Sequence, residues 1–192
     1  MITLTLNLNP TLILDDDQFI SICEHNQNFN FERNQQGELI IMPPTGSDTG
    51  QKNWSIAGQL WAWNNHYKLG IGFDSSTGFK LPNGAIRSPD VSWIKLERWQ
   101  QLTPEEKRKF APICPDFIIE LLSVNDEIEE TRKKMTEYLE NGLKLGWLID
   151  SDTKTVEIYE PNKSVIVLHN PQTLSGANIL PNFTLDLTNI LC

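Results

Sequence analysis

The run Phe117-Ile118-Ile119-Glu120-Leu121-Leu122 carries one acid, Glu120. Nothing in it alternates between apolar and polar, so it predicts a strand covered on both faces. A carboxylate there must be buried, and an unpaired buried charge is costly. A second acid, Asp90, lies between Pro89 and the strand-like Val91-Ser92-Trp93-Ile94. Lys134 follows on a strongly helical stretch. Two acids on strands and a lysine within reach of them could bind a hard metal ion and steer phosphate chemistry. Each residue also has a plainer reading. Asp90 alone is an ordinary strand start. Glu120 could sit in a buried ion pair with an arginine such as Arg87. Lys134 belongs to Arg132-Lys133-Lys134, which could be a solvated basic turn. Register separates the two lysines: Lys134 directly precedes inward Met135, while Lys133 points farther out.

The elements that must position these residues can be read in order. Asp15-Asp16-Asp17 starts a short helix to about His25, with acids at its N-terminus. Phe29 to Phe31 and Gly37 to Met42 predict a hairpin across Asn34-Gln35-Gln36, ended by Pro43-Pro44. Ser47 or Asp48 caps the next helix, which runs to about Lys68. Ile56, Leu60, Trp63 and Tyr67 make one apolar stripe, and Trp54 and Trp61 broaden it. This predicts a core helix rather than a base-stacking platform, stopped by Gly70. Short strands follow near Gly72-Asp74, Gly78-Leu81 and Ala85-Ile94. Thr103-Pro104-Glu105-Glu106 is a capping-box helix start. After the Glu120 strand, a helix from about Asp126 to Asn141 turns Ile128, Met135 and Leu139 inward and stops at Gly142. Strands near Leu145-Ile149, Thr155-Tyr159 and Val165-Leu168 complete a mixed sheet flanked by helices, and Ile179-Leu180-Pro181-Asn182-Phe183 closes it.

Composition narrows the function classes. A chain of 192 residues predicts one domain over 1–192, and its hydrophobic fraction of 39% suits a packed core rather than disorder. Cys23, Cys114 and Cys192 form no close pair, which argues for reduced thiols in the cytoplasm and against zinc. No secretory signal and no membrane-spanning run is read. The histidines His25, His66 and His169 are scattered, and no phosphate loop or nucleophile elbow is present, so a serine hydrolase or zinc enzyme is poorly supported. The formal net charge of −9 weakens a nucleic-acid reading, which usually rests on a basic face.

Taken together, these residues resemble the PD-(D/E)XK nuclease superfamily and, more closely, the Uma family of restriction-endonuclease-like proteins. The resemblance covers most of the chain. It runs through Phe31-Glu32, Gly37-Glu38-Leu39-Ile40-Ile41-Met42-Pro43-Pro44, Ser88-Pro89-Asp90-Val91 and Pro115 to Ser123. It continues through Lys134-Met135, Tyr138-Leu139, Gly142 and Trp147-Leu148-Ile149-Asp150. It implies that Asp90 and Glu120 are metal ligands and that Lys134 is the catalytic lysine. The usual superfamily lysine lies two after the acid, where this chain has Leu122; the Uma-like pattern moves it to the following helix. Glu38 matches a further acid from the first hairpin. Thr49 stands where the family often has a histidine.

The implied chemistry is coherent. Mg²⁺ or Mn²⁺ takes oxygen ligands and keeps several waters, so two or three carboxylates suffice. The carbonyl of Leu121 adjoins Glu120 and is a further candidate ligand. The expectation is a Mg²⁺-dependent endonuclease hydrolysing DNA phosphodiesters on a restriction-endonuclease-like α/β fold. A catalytically inactive DNA-binding or protein-interaction module on the same fold is the alternative, and a hydrolase of a small phosphoester is a third. Cutting both strands of a duplex calls for two sites, and Trp93, Trp99 and the C-terminal strands could supply a homodimer surface; that these residues instead fill the core of a single copy is the equal alternative.

Overall fold

The computed structural model describes residues 3–9, 11–123 and 126–192; Met1 and Ile2 of the alternating N-terminus lie outside the described residues. The first elements are β1 (Leu4–Leu6), α1 (Asp16–His25), β2 (Asn30–Arg33), β3 (Leu39–Met42) and α2 (Ser47–Tyr67). Next come β4 (Gly70–Asp74), β5 (Phe79–Lys80), β6 (Ile86–Arg87), β7 (Val91–Lys95), α3 (Leu96–Gln101) and α4 (Pro104–Arg108). Then follow β8 (Phe117–Leu121), α5 (Ile128–Glu140), β9 (Leu145–Asp150), β10 (Thr155–Tyr159) and β11 (Ile166–His169). The hairpin of β12 (Thr173–Ser175) and β13 (Thr184–Asp186) supplies the last strands.

Two larger sheets result. One has the order β1-β3-β2-β6-β5 and the other β11-β10-β9-β8-β7-β4. Only β8 and β9 pair in parallel in the second sheet, with Glu120 opposite Leu148. A parallel pair needs a crossover, and α5 supplies it. This is the mixed α/β sheet with flanking helices that the sequence predicts.

The expected strand over Ala85–Ile94 is in fact two strands in different sheets. β6 joins β2 through Arg33 opposite Ile86, and β7 joins β4 and β8. The break falls at Ser88-Pro89-Asp90, because proline has no N–H to continue a ladder. The chain therefore passes from one sheet to the other at Asp90.

All of β8 is buried, as expected of a strand covered twice. Phe117, Ile119 and Leu121 join a core with Ile56, Leu60 and Trp63 of α2 and with Phe183 and Leu185. Ile118 and Leu122 join a second core with Met135 and Tyr138 of α5. Strand side chains alternate, so Glu120 shares the α5 side with Ile118 and Leu122.

Local signals hold at α1 and α4. Asp15 and Thr103 both form capping boxes, with Gln18 and Glu106. They fail at α2. Gly46, not Ser47 or Asp48, is its N-cap, and Lys68 ends it in a left-handed conformation, not Gly70. Gly70 instead lies in β4, where a Cβ would come within 2.3 Å of the Trp93 ring and the Ile94 carbonyl. Ile56, Leu60 and Trp63 are buried, but Trp54 and Trp61 are 80% and 68% exposed. Of the residues expected at a dimer surface, Trp93 is buried beneath Trp63 and bonds Asn64, and Trp99 packs on Phe73, whereas Ile166 and Val167 of the C-terminal strand β11 are exposed. Within the described residues no helix is long and apolar enough to cross a membrane. All three cysteines are free.

Candidate active site

Asp90, Glu120 and Lys134 meet where the two sheets join. Glu120 is one residue from the end of β8, and Asp90 is in the link between β6 and β7. The Asp90 side chain is tied to the end of β8, because the Leu121 N–H donates to Asp90 Oδ2 at 2.8 Å. Asn53 of α2 donates to Asp90 Oδ1 at 2.9 Å. Lys134 reaches in from α5. Its Nζ lies 2.9 Å from Glu120 Oε1 and 2.8 Å from Glu32 Oε1. The Tyr138 hydroxyl, one helical turn on, also donates to Glu120 Oε1. Lys133 faces solvent and pairs with Glu130, so the helix phase inferred from Met135 is correct.

Sequence reasoning does not single out Glu32 as a site residue, yet the cluster is built on it. It is buried, and it accepts from the Ser88 N–H, the Arg87 guanidinium and Lys134. Arg87 also binds Glu137 through Nε at 2.5 Å. The alternative Arg87–Glu120 pair does not form: Arg87 pairs with Glu32 and Glu137, and Glu120 with Lys134. Glu38 is not brought to this cluster. It lies on the same hairpin and lines the same cleft, but its carboxylate accepts from Asn34 beside the turn. Thr49 also lines the cleft.

The charges do not balance. Among the described residues, the four acids Glu32, Asp90, Glu120 and Glu137 face two cations, Arg87 and Lys134. Burial pushes the Glu120 carboxyl up to about 8; Lys134 opposes this, and Asp90 and Glu32 add to it. Burial also raises Asp90, despite the Leu121 N–H, Lys134 and Asn53. For Glu32 burial is outweighed by Lys134 and Arg87, and its carboxyl is lowered. Burial opposes the charge on Lys134, but Glu120 and Glu32 outweigh it and hold the ammonium well above the usual lysine range. Lys134 therefore stays cationic, and the surplus negative charge falls on Asp90 and Glu120.

That surplus fits a divalent cation. Among the described residues no three His, Cys, Asp or Glu side chains converge as a ready-made metal cage. Mg²⁺ does not require one, since it takes one or two carboxylates and keeps its remaining waters. Both acids, with Leu121, line a cleft of about 1210 Å³, wide enough to admit those waters. Its wall is rich in acids from α5 and the residues before it, including Asp126, Glu127, Glu129, Glu130 and Glu140.

Comparison with known proteins identifies the family and the fold. Residues 16–188 match the Uma2 family, described as "putative restriction endonuclease". The chain belongs to the Uma2 family. Every residue of the cluster falls inside the matched span. A similar solved structure is that of a "putative nuclease belonging to DUF820" from Anabaena variabilis ATCC 29413. It has a TM-score of 0.77 at 21% identity, covering 93% of this chain and 97% of that one. At that identity the likeness establishes the fold of the Uma2 chain. No curated protein matches it.

Proposed function

We propose that this Uma2 protein is a Mg²⁺- or Mn²⁺-dependent endonuclease that hydrolyses phosphodiester bonds in DNA. The observation that carries the reading is Lys134 Nζ, held between Glu32 and Glu120 beside Asp90 at the joint of the two sheets. Asp90 and Glu120 would hold the metal, with the Leu121 carbonyl as a further oxygen. Lys134 and Tyr138 both engage Glu120 Oε1, so Oε2 is the oxygen left for that role. A divalent ion there would polarise the phosphate and lower the pKa of a bound water.

The protein's own residues do the rest. Lys134 is too firmly charged to serve as a base. It acts as a fixed cationic donor, orienting the attacking water and stabilising negative charge as it develops on the phosphate. Glu32 keeps that ammonium charged and aimed, and Arg87 holds Glu32. Asn53 and the Leu121 N–H fix the Asp90 carboxylate. Glu38, matched by the family pattern as a further acid, would act only from the cleft rim.

Incubation with supercoiled plasmid and Mg²⁺ or Mn²⁺ tests this reading. Nicking by wild type that is absent in Asp90→Asn and Lys134→Ala is the expected result. No cleavage of plasmid or oligonucleotides with any divalent metal would leave the second reading, an inactive module on the same fold. The acidic wall of the cleft favours that alternative, since polyanions are normally gripped by basic surfaces. A two-strand cut would further call for two copies of the chain.

A further inference from the structure

We infer that α2 is a self-association surface: two copies of the chain pair through this helix, antiparallel, about a two-fold axis at Gly58. The inference rests on the helix surface and not on the proposed nuclease activity.

The exposed residues Gln51, Trp54, Gly58, Trp61 and Asn65 are spaced by alternating threes and fours. That spacing keeps them on one seam of a helix and is the pattern by which helices pair. Trp54 and Trp61 are seven residues apart, so they lie on one face about 10 Å from each other. Both are largely exposed, although α2 already buries Ile56, Leu60 and Trp63 on its opposite side. Two exposed indoles on one seam are unusual, because tryptophan concentrates at the centre of interfaces.

Gly58 lies between them. A glycine inside a 21-residue helix is disfavoured against alanine, and here nothing in the fold requires it. A Cβ built at Gly58 meets no atom within 4 Å. A second helix crossing at Gly58 would use that missing side chain, because small residues let helix backbones approach closely. The crossing is self-complementary. With the axis at Gly58, Trp54 of one copy meets Trp61 of the other, and Trp61 meets Trp54, as an isologous interface requires.

Charge selects a second copy over other occupants. The chain carries a net −9, so copies repel over most of their surfaces. From Asn53 to Tyr67 there is no Asp, Glu, Lys or Arg. This face offers neither repulsion to a copy nor attraction to a polyanion. Four buried indoles contribute on the order of 600–1,000 Å². The remaining seam residues bring the total toward the roughly 1,200 Å² at which specific interfaces begin. The pair should therefore be reversible, with a dissociation constant in the micromolar range.

Sedimentation velocity of the full chain over about 1–100 µM tests the inference. Wild type should pass from one to two copies across that range. Gly58→Arg and the double variant Trp54→Ser/Trp61→Ser should stay single throughout, with unchanged helical circular dichroism. Should either variant fold poorly, Gly58→Cys in a Cys192→Ser background supplies the second measurement. Mild oxidation should join two chains through position 58. A wild type that remains single at 100 µM overturns the inference. So does a pair that survives both variants, or one that gives no cross-link at position 58. DNA binding lost in the double variant of a chain that is always single would make α2 a base-stacking face and would equally overturn it.

Discussion

Glu120→Gln, melted without metal across pH, probes the charge surplus directly. In the folded protein burial pushes the Glu120 carboxyl from its ordinary 4.5 up to about 8. A raised acid binds its proton more tightly in the fold than in the unfolded chain. Its contribution is therefore fully favourable below about pH 4.5 and is lost as pH rises toward 8. Each tenfold gain in proton affinity is worth about 1.4 kcal/mol. Between pH 5 and pH 8 the loss comes to about 4 kcal/mol, less whatever local relaxation recovers. Glutamine removes the titration but keeps an oxygen for Lys134 Nζ and the Tyr138 hydroxyl. Asp90 and Glu32 titrate in both proteins but are coupled to Glu120, so the difference reports Glu120 together with its repulsion of them. The variant should melt near wild type at pH 5 and above it at pH 8. For a chain of this size the gap should be roughly 5–15 °C. Melts in chelator, by circular dichroism or calorimetry, measure it. Adding Mg²⁺ at pH 8 should raise the wild-type midpoint and leave the variant nearly unmoved, since only the native site binds. A gap that stays flat with pH refutes the surplus. A variant that falls several kcal/mol below wild type at pH 8 would make Glu120 half of a structural ion pair.

Other substitutions test separate parts of the site. Lys134→Ala should reduce metal-dependent nicking by about 10²–10³ and leave metal affinity largely intact. Lys133→Ala should nick like wild type, because that lysine faces solvent; the reverse pattern would place the working lysine on the wrong helix face. Asp90→Asn should abolish Mg²⁺ heat in titration calorimetry, and equal heats from both proteins would remove Asp90 from the metal. Glu32→Ala should cost about 3–5 kcal/mol in urea unfolding because it strips Arg87 and Lys134 of a buried partner; Glu38→Ala, at the hairpin turn, should cost under about 1 kcal/mol. Gly70→Ala should leave little folded protein in a solubility and melting assay, because its Cβ would collide with the Ile94 backbone carbonyl.

What can be read from sequence divides along a physical line. Glu120 is conspicuous because a buried acid is costly, and that penalty is a property of the run around it. Lys134 can be phased because the inward Met135 fixes the helix rotation. The capping boxes at Asp15 and Thr103 are contained within four residues each. Glu32 and Glu38 mark the limit of such reasoning. Both lie on one hairpin, and the family pattern points to Glu38. Which of them enters the site depends on β2 pairing with β6, which sets Arg33 opposite Ile86 and brings Glu32 to Arg87. That contact spans 55 residues. The one local hint is cross-strand: Glu32 faces Ile40, an acid opposite an apolar residue. Trp54 and Trp61 fail for the same reason in reverse. Periodicity puts them on a face but does not say whether the fold covers it, and here the C-terminal hairpin and β7 take the opposite side of α2. The pairing of the sheets therefore decides two things at once: which acid holds the lysine, and which aromatic face is left for something outside the chain.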